Sequence, residues 1–434
     1  MRVLYNTMLV SGFLLGFPLL AAVLMASRKR RKTVLQRLGV AFGPGCIRDV
    51  PSYLSSRKPV WIHALSVGEV LSAVALVDAI KERAREKSIV FSVSTFTGFE
   101  IANDRLRNRV DAIVYFPYDL IFSVKRIISR INPAVVLIVE TDIWPNFLFE
   151  LKQRKIPVVL VNARLSDRSL KGYLRIFFFM RSVFESFTKV CVQSPGDMDR
   201  FHSLGVLPEK TVVTGNIKFD RIDEDSADDS PKVMRQQLRI FPEQKVFLAG
   251  STHAGEESIL LEVFLRMRRL FSNLLIVVVP RDPRRARLIC KQFQSSGIRA
   301  ARMSELNGQH ETDRFDAIVV DVIGKLQHLY SLADIAFIGG SLVNCGGHNP
   351  LEPAVYCKPI LFGPDMSDFR DISEMLLAAD AAIQVSDADS VYQAAVKLLE
   401  DEEMAAQMGS RAYELLFLNK GAVSKTWDVV KAYL

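Results

Sequence analysis

The sequence predicts an α/β protein with two doubly wound, Rossmann-like domains behind one N-terminal transmembrane helix. Three observations carry this prediction. The chain has 434 residues, which is too long for a single hydrophobic core. Short apolar runs alternate with segments of helical periodicity, a pattern typical of parallel sheets that are covered on both faces. A polar, acidic stretch interrupts this alternation once before it starts again, which indicates two domains in tandem.

The composition is that of a folded chain with a mildly basic body. Hydrophobic residues make up 49% and charged residues 24% of the chain, which excludes extended disorder, collagen and a coiled coil. The net charge is +8, but without the basic run Arg28–Lys32 it is only +3. A nucleic-acid-binding surface along the whole chain is therefore not expected. The five cysteines form no CxxC pair, which argues against a disulfide framework and for a reducing compartment.

The N-terminal segment is predicted to be an uncleaved membrane anchor. Residues 3–27 carry no charge, and a helix of this length can cross a hydrocarbon core of about 30 Å. A cleaved signal peptide is the alternative, but here the basic run follows the apolar stretch instead of preceding it. The same charge order predicts that the chain after a basic juxtamembrane segment at residues 28–50 stays cytoplasmic.

The domain boundaries follow from the alternation of strands and helices. The first Rossmann-like domain is predicted at residues 51–220 and the second at residues 236–410, with a linker at residues 221–235. Residues 411–434 are expected to form a C-terminal helical segment. Two such domains are expected to face a cleft, since open α/β sheets bind ligands outside the carboxyl ends of their strands.

Three motifs of the first domain carry candidate catalytic side chains. The stretch from His63 to Glu69 follows a predicted strand, so that Glu69 falls in the first turn of a helix. Glu140 and Asp142 come at the end of another apolar strand, and Lys218 lies near the end of the domain. The structural alternatives stay open, because the acids can be helix caps and the lysine can be a solvated surface residue.

Three motifs of the second domain indicate phosphate binding. The turn Gly250–His253 and the strand-terminal Arg281 can each meet a phosphate. In Gly339–Pro353, a glycine-rich loop leads into Asn-Pro-x-Glu. We expect its exposed N–H groups and the helix dipole to bind an anion, and Glu352 to accept hydrogen bonds from a ribose diol. A purely structural glycine loop is the alternative.

Several reaction classes lack their sequence motifs. The chain has no GxxxxGK[ST] phosphate-binding loop, no GxSxG nucleophile elbow and no HExxH spacing among its six histidines. We therefore expect no tightly held metal.

Six motifs follow one another along the chain, namely HALSVGE, ETDIWPN, NARLSDRSLKGY, GNIKFD, PRDPRR and GGHNPLEP. Together they resemble, in the same order, the motifs of the 3-deoxy-D-manno-octulosonic acid (Kdo) transferase family. The resemblance runs from the N-terminal anchor to about residue 370. It implies a GT-B glycosyltransferase fold, a CMP-Kdo donor and a lipid A precursor (lipid IVA) as acceptor in lipopolysaccharide biosynthesis. It implies no metal, no covalent intermediate and no cofactor besides the donor substrate. Single displacement with one base predicts inversion at the anomeric carbon. The reaction is expected at the inner leaflet of the bacterial inner membrane.

The resemblance also implies roles for individual residues. Glu69 corresponds to the family's general base, and Glu140 and Lys218 correspond to positions that stabilise the transition state. The residues that would hold CMP are Pro280, Arg281, Ile323, Gly324, Lys325, Asn349, Pro350, Leu351 and Glu352. The chain departs from the family's usual pattern at Asp142, Asp282 and Lys325.

A further apolar run, Phe177–Phe179, has two interpretations. It either dips into the lipid surface beside the acceptor phosphates or belongs to a buried helix with solvated arginines. The basic residues that bracket it are Arg164, Arg168, Lys171, Arg175 and Arg181. Two other functions are considered, namely a membrane-bound transferase with another sugar nucleotide and a membrane-tethered nucleic-acid binder. The mildly basic body and the lack of an aromatic-basic RNA motif count against the second.

Overall fold

The computed structural model describes residues 28–39, 52–220, 231–306 and 314–434, together with isolated positions within the first 16 residues. The backbone groups into two units, Met1–Arg221 with Asn419–Leu434, and Ile222–Leu418. Most of the predicted anchor at residues 3–27, the end of the juxtamembrane segment and most of the linker lie outside the described residues. In the described part of the chain, no helix combines the length and the apolar character needed to cross a membrane.

A parallel sheet of seven strands forms the centre of the first unit. Its strands are β1 (Val60–Ala64), β2 (Ile89–Val93), β3 (Ala112–Tyr115), β4 (Val135–Val139), β5 (Val158–Ala163), β6 (Lys189–Val192) and β7 (Thr211–Val213). Their spatial order is β3-β2-β1-β4-β5-β6-β7, and all pairings are parallel. The winding direction reverses between β1 and β4, and such a switch point is where doubly wound folds bind ligands.

Helices cover both faces of this sheet. They are α1 (Arg28–Arg37), α2 (Ser52–Arg57), α3 (Val67–Arg83), α4 (Phe96–Leu106), α5 (Ile121–Ile131), α6 (Pro145–Gln153), α7 (Asp167–Arg175), α8 (Phe177–Phe184) and α9 (Pro195–Ser203). β4 shows the consequence, because Val136 and Ile138 pack into one hydrophobic cluster while Leu137 packs into another. A strand buried on both faces reads as a continuous apolar run, which is why the sequence predicted these strands.

The second unit repeats this architecture. Its strands are β8 (Lys245–Thr252), β9 (Leu274–Pro280), β10 (Ala300–Arg302), β11 (Ala317–Val319), β12 (Ile335–Ile338), β13 (Ile360–Phe362) and β14 (Ile383–Gln384). They pair in parallel in the order β10-β11-β9-β8-β12-β13-β14, with the switch point between β8 and β12. The prediction of two parallel-sheet α/β domains is thereby confirmed.

The helices after residue 230 do not all belong to the second unit. Those that do are α10 (Pro231–Gln237), α11 (Glu256–Met267), α12 (Ala286–Ser295), α13 (Leu326–Leu329), α14 (Leu351–Ala354), α15 (Arg370–Ala378), α16 (Ala388–Glu400) and nearly all of α17 (Glu402–Asn419). The last helix, α18 (Ala422–Val430), groups with the first unit. Residue 411, where the predicted C-terminal segment starts, therefore lies within α17.

Candidate functional site

The candidate catalytic residues of the first unit follow the two strands at its switch point. β1 leads through Ser66, the N-cap residue, into α3, whose third residue is Glu69. Glu140 and Asp142 come directly after β4. Because β1 and β4 pair in parallel, their carboxyl ends lie side by side. The predicted site residues Glu69 and Glu140 are therefore brought together, with Asp142 beside them.

Glu69 folds back over the start of its own helix. Its Oε2 accepts a hydrogen bond from the N–H of Leu65, and its Oε1 accepts one from the Ser66 hydroxyl at 3.2 Å. Burial is the largest cause that raises the pKa of Glu69 to about 8, and the negative charges of Glu140 and Asp142 add to it. The two hydrogen bonds act in the opposite direction. A carboxyl group that titrates near neutrality is suited to general acid–base chemistry.

Glu140 and Lys218 form an ion pair next to this group. Glu140 Oε1 lies 3.5 Å from Lys218 Nζ, and the two side chains are 28% and 19% exposed. Glu140 has a φ of 60°, in the left-handed region that L side chains rarely occupy. Such backbone strain persists only where the surrounding structure enforces it, and it is enriched at functional sites.

His63 and Asp142 form a second pair at this edge of the sheet. His63 is fully buried in β1, and its Nε2 lies 2.8 Å from Asp142 Oδ2. The imidazole stacks on Phe116, with ring centroids 3.7 Å apart. No role was predicted for His63, because a lone histidine in an apolar strand is most often a satisfied core residue.

The partners of the three carboxylates differ in charge. Glu140 has the ammonium group of Lys218, and Asp142 has the imidazole of His63. Glu69 is bonded within the described residues to an N–H and a hydroxyl, neither of which is charged. Glu69 is thus the carboxyl group whose ionised form has the weakest local support.

The loop that carries Lys218 is fixed at both ends. The N–H of Ile217 donates to Oδ1 of the buried Asn162 at 3.1 Å, at the end of β5. The carboxylate of Asp220 accepts two hydrogen bonds of 2.6 Å from N–H groups at the start of α18. Sequence reasoning quoted the motifs that contain Asn162 and Asp220 but missed these roles, because both partners are distant in the chain.

In the second unit, one part of the predicted anion site is already occupied by a side chain. The carboxylate of the buried Glu256 accepts hydrogen bonds of 2.8 to 3.0 Å from the N–H groups of Gly340, Ser341, Leu342 and His253. The prediction that the Gly-Gly-Ser turn offers exposed N–H groups to a ligand is therefore wrong. The reason is that α11 places its own carboxylate in the turn.

Arg281 and His348, the residue before Asn349, lie close together next to this turn. The N–H of Arg281 donates to the carbonyl oxygen of Thr252 at 3.0 Å, and the residue is exposed. Nε2 of His348 lies 2.9 Å from Nε2 of His253. Burial lowers the pKa of His348 to about 4, and the positive charges of Arg281 and His253 contribute. The positive charge of Arg281 thus lies where the sequence predicted a phosphate, next to an imidazole of His348 that is uncharged near neutral pH.

The remaining predicted nucleotide contacts lie on two short segments. Ile323 is 81% exposed and Gly324 has a φ of 86°, just before Lys325 and α13. In the other segment, Leu351 donates its N–H to Asn349 Oδ1, and Pro350 stands between them as the N-cap residue of α14. Glu352 follows in the first turn of that helix. Burial, with the charge of Glu352, raises the pKa of Tyr330, which packs against the end of β8.

Known proteins resemble both the sequence and the fold. The family profile described as "3-Deoxy-D-manno-octulosonic-acid transferase (kdotransferase)" matches residues 32–221. A 3-deoxy-D-manno-octulosonic acid transferase of Haemophilus influenzae is 34% identical over 86% of this chain and 87% of its own length. One of Chlamydophila psittaci is 30% identical over 99% of this chain and 96% of its own.

Solved structures support the architecture. The UDP-GlcNAc 2-epimerase of Neisseria meningitidis, bound to UDP-GlcNAc, superposes with a TM-score of 0.56. The match covers 86% of this chain and 99% of the epimerase, at 14% sequence identity. At this identity, the likeness concerns the fold of two parallel-sheet α/β domains and nothing more.

Proposed function

The chain belongs to the 3-deoxy-D-manno-octulosonic acid (Kdo) transferase family, as its motifs predicted, and we propose that it transfers Kdo from CMP-Kdo to a lipid A precursor of the lipid IVA type. The product would enter lipopolysaccharide biosynthesis. The proposed reaction inverts the anomeric carbon, uses no metal and has Glu69 as its general base. The first unit would supply this base, and the second would hold the donor nucleotide.

The chemistry is a single displacement at a ketosidic carbon. As the bond between this carbon and the phosphate oxygen breaks, positive charge develops on the sugar ring and negative charge on the departing CMP. A hydroxyl group of the acceptor attacks the opposite face while the ionised carboxylate of Glu69 accepts its proton. One displacement of this kind inverts the configuration. Base assistance is typically worth about 10²–10⁴-fold in rate.

The charge environment of Glu69 is the observation that carries this proposal. Glu140 and Asp142 each face a basic side chain, whereas Glu69 is bonded to uncharged donors and has a pKa of about 8. A general base needs a proton affinity close to the working pH, so that it is partly ionised and still a strong acceptor. Among these three carboxyl groups, Glu69 meets this requirement.

The neighbouring ion pair is assigned to transition-state stabilisation. The carboxylate of Glu140 can oppose the positive charge that develops on the sugar ring, and the ammonium group of Lys218 can oppose the charge on the leaving phosphate. Because Glu140 and Lys218 hold each other at 3.5 Å, both charges are oriented before the substrate binds. Such preorganisation is the main source of electrostatic catalysis.

The second unit is assigned to the nucleotide. The exposed Arg281 would supply the positive charge for the phosphate of CMP, and the uncharged imidazole of His348 lies beside it. Glu352 would accept hydrogen bonds from the ribose hydroxyls. The residues proposed to contact CMP are Pro280, Arg281, Ile323, Gly324, Lys325, Asn349, Pro350, Leu351 and Glu352.

The acceptor is a lipid, and an exposed apolar surface on the first unit suits it. Ile176 and Phe178 are 52% and 74% exposed, and the nearby Arg168, Lys171 and Arg175 are exposed as well. We place this surface on the inner leaflet, where it would meet acyl chains and acceptor phosphates. The proposed location is the bacterial inner membrane, with residues 3–27 as a single-pass anchor and both units on the cytoplasmic side.

Replacing the base tests the proposal directly. Glu69→Gln keeps the size of the side chain but cannot accept the proton, so kcat for Kdo transfer should fall by about 10²–10⁴-fold. The matched control is Glu82→Gln, an exposed residue of the same helix, which should leave kcat unchanged. Initial rates with CMP-Kdo and a tetra-acylated lipid A precursor measure both. A Glu69→Gln enzyme within a few-fold of the natural rate would remove the assignment.

A further inference from the structure

We propose that His63 is a positioning residue for the general base, because a proton shared between its imidazole and Asp142 makes this buried pair neutral and limits the negative charge that faces Glu69. The inference rests on the proposed role of Glu69. It adds a residue that does not touch the substrate and acts through the carboxyl group of Asp142.

The contacts of His63 indicate where its protons lie. Its Nδ1 lies 3.0 Å from the carbonyl oxygen of Ser92, and because a carbonyl oxygen can only accept, we assign a hydrogen to Nδ1. Nδ1 is also 3.0 Å from the Ser92 hydroxyl oxygen, which accepts a hydrogen bond of 2.8 Å from Trp61 Nε1. The second ring nitrogen, Nε2, lies 2.8 Å from Asp142 Oδ2. Two bare acceptors would repel each other at this distance, so a second proton sits between them.

The pair therefore holds one proton more than a neutral imidazole beside a free carboxylate. His63 is fully buried and the side chain of Asp142 is only 11% exposed, so solvent screens this contact weakly. The positive charge of the protonated imidazole partly offsets the negative charge of Asp142 that faces Glu69, and Lys218 partly offsets that of Glu140. Without these two partners, the two carboxylates would raise the pKa of Glu69 further.

Other charged and titratable groups around the pair come from three elements. Arg37 of α1 and Tyr173 of α7 both interact electrostatically with Asp142, which lies after β4. From α3, Glu69 itself faces Asp142. Arg37 also donates through its Nε to the uncharged carbonyl oxygen of Phe116 at 3.0 Å, so its positive charge stays near Asp142 whether or not His63 is replaced. His63 is the group in direct hydrogen-bonded contact with the Asp142 carboxylate.

The titration of Glu69 tests the inference. Carbon-13 NMR of protein labelled at glutamate carboxyl groups follows it, with the Glu69→Gln variant to assign the signal. His63→Gln keeps a donor for Asp142 but cannot carry a positive charge. The pair then becomes negative, and the midpoint of the Glu69 titration should rise by roughly one pH unit. In the double variant His63→Gln/Asp142→Asn, the negative charge is gone and the midpoint should return toward that of the natural protein.

Two results would overturn the inference. If the natural pair is negative, with a single proton on Nε2 that points at Asp142, His63→Gln leaves the midpoint in place and Asp142→Asn alone lowers it. If His63 only supports packing, its loss loosens the site, and the midpoint falls toward the ordinary value of 4.5 instead of rising. His63→Asn, which keeps a donor toward Ser92, should give the same upward shift and serves if His63→Gln does not fold.

The readout separates this inference from the proposed function. The NMR titration needs no turnover, so it remains interpretable if Glu69→Gln proves to be active and the base assignment fails. If Glu69 is the base, the acid limb of the kcat/KM profile should move to higher pH in His63→Gln by the same amount as the NMR midpoint. A midpoint that moves in NMR while the kinetic limb stays would contradict the role of Glu69 and leave that of His63 intact.

Discussion

At the residue scale, the proton of Glu69 links the stability of the fold to its activity. The pKa of Glu69 is about 8 in the folded protein, against an ordinary value of 4.5. Between these two values, the native state binds the proton more tightly than the unfolded state, so stability decreases as the pH rises. Each unit of difference corresponds to about 1.4 kcal/mol. The proposed reaction needs the ionised form, so the most active form is the less stable one.

The Glu69→Gln variant should show how much stability the ionisation of Glu69 costs. Its neutral amide resembles the protonated acid, so its thermal stability should match that of the natural protein near pH 5 and exceed it by a few degrees at pH 8.5. Thermal unfolding across this range, followed by circular dichroism, measures the gap. Glu82→Gln should show no gap that grows with pH. A constant difference between Glu69→Gln and the natural protein would mean that Glu69 is not protonated near neutrality.

The pairing of His63 with Asp142 marks the limit of sequence reasoning at this scale. Glu69, Glu140 and Lys218 were identified from motifs and the family resemblance. The two members of the pair are 79 positions apart, and the parallel pairing of β1 with β4 is what brings them together. Glu256 was missed for a similar reason, since an acid in the first turn of a helix looks like an ordinary partner of the helix dipole.

At the element scale, the C-terminal helix α18 acts on the loop that carries Lys218. Asp220 caps the start of α18, and Ile217 is fully buried in the same hydrophobic cluster as Ala422 and Val423. The short segment between Ile217 and Asp220 is thus fixed on both sides of Lys218. This arrangement holds the ammonium group next to Glu140 without a contribution from the substrate.

Removal of this cap should affect catalysis more than stability. Asp220→Ala leaves two N–H groups at the start of α18 without their acceptor, which costs about 1 kcal/mol. We expect kcat to fall roughly tenfold, because Lys218 loses its fixed position. The matched control is Asp387→Ala, since Asp387 caps α16 of the second unit through the N–H of Ser390. It should lower the melting temperature similarly and leave kcat unchanged; equal kcat in both variants would contradict the account.

The elements themselves could be predicted, but not their distribution between the units. The continuous apolar strands follow from composition and period, since strands buried on both faces have no polar side. The sequence indicated helices in the tail, yet Gly421, with a φ of 93°, marks the point after which the chain joins the first unit. Helical periodicity shows which face of α18 is apolar and cannot show which sheet that face packs on.

At the scale of the whole molecule, the proposed lipid surface lies next to a residue of the predicted anchor. Tyr5, inside the predicted anchor, lies 5.4 Å from Phe179 between ring centroids. Phe179 is partly buried against the core, whereas the adjacent Phe178 is 74% exposed. Phe179 thus fits the interpretation of a buried helix and Phe178 that of an exposed apolar surface, because α8 turns one face inward and leaves the other uncovered.

Phe178→Asp tests this surface. A charge at the lipid interface should raise the apparent KM for a lipid acceptor presented in vesicles by about tenfold, with little change in the KM for CMP-Kdo. Phe417→Asp is the matched control, because Phe417 is 65% exposed on α17 of the second unit. An unchanged acceptor KM in Phe178→Asp would mean that the face is simply solvated.

The product of the reaction shows whether the chain is an inverting Kdo transferase that uses Glu69 as its base. The purified full chain is incubated with CMP-Kdo and a tetra-acylated lipid A precursor, and the product is analysed by mass spectrometry and by NMR of the new anomeric centre. We expect Kdo to be added with a configuration opposite to that of the donor, and Glu69→Gln to form almost no product. Retention of the donor's configuration, or the same product yield from Glu69→Gln, would contradict this expectation.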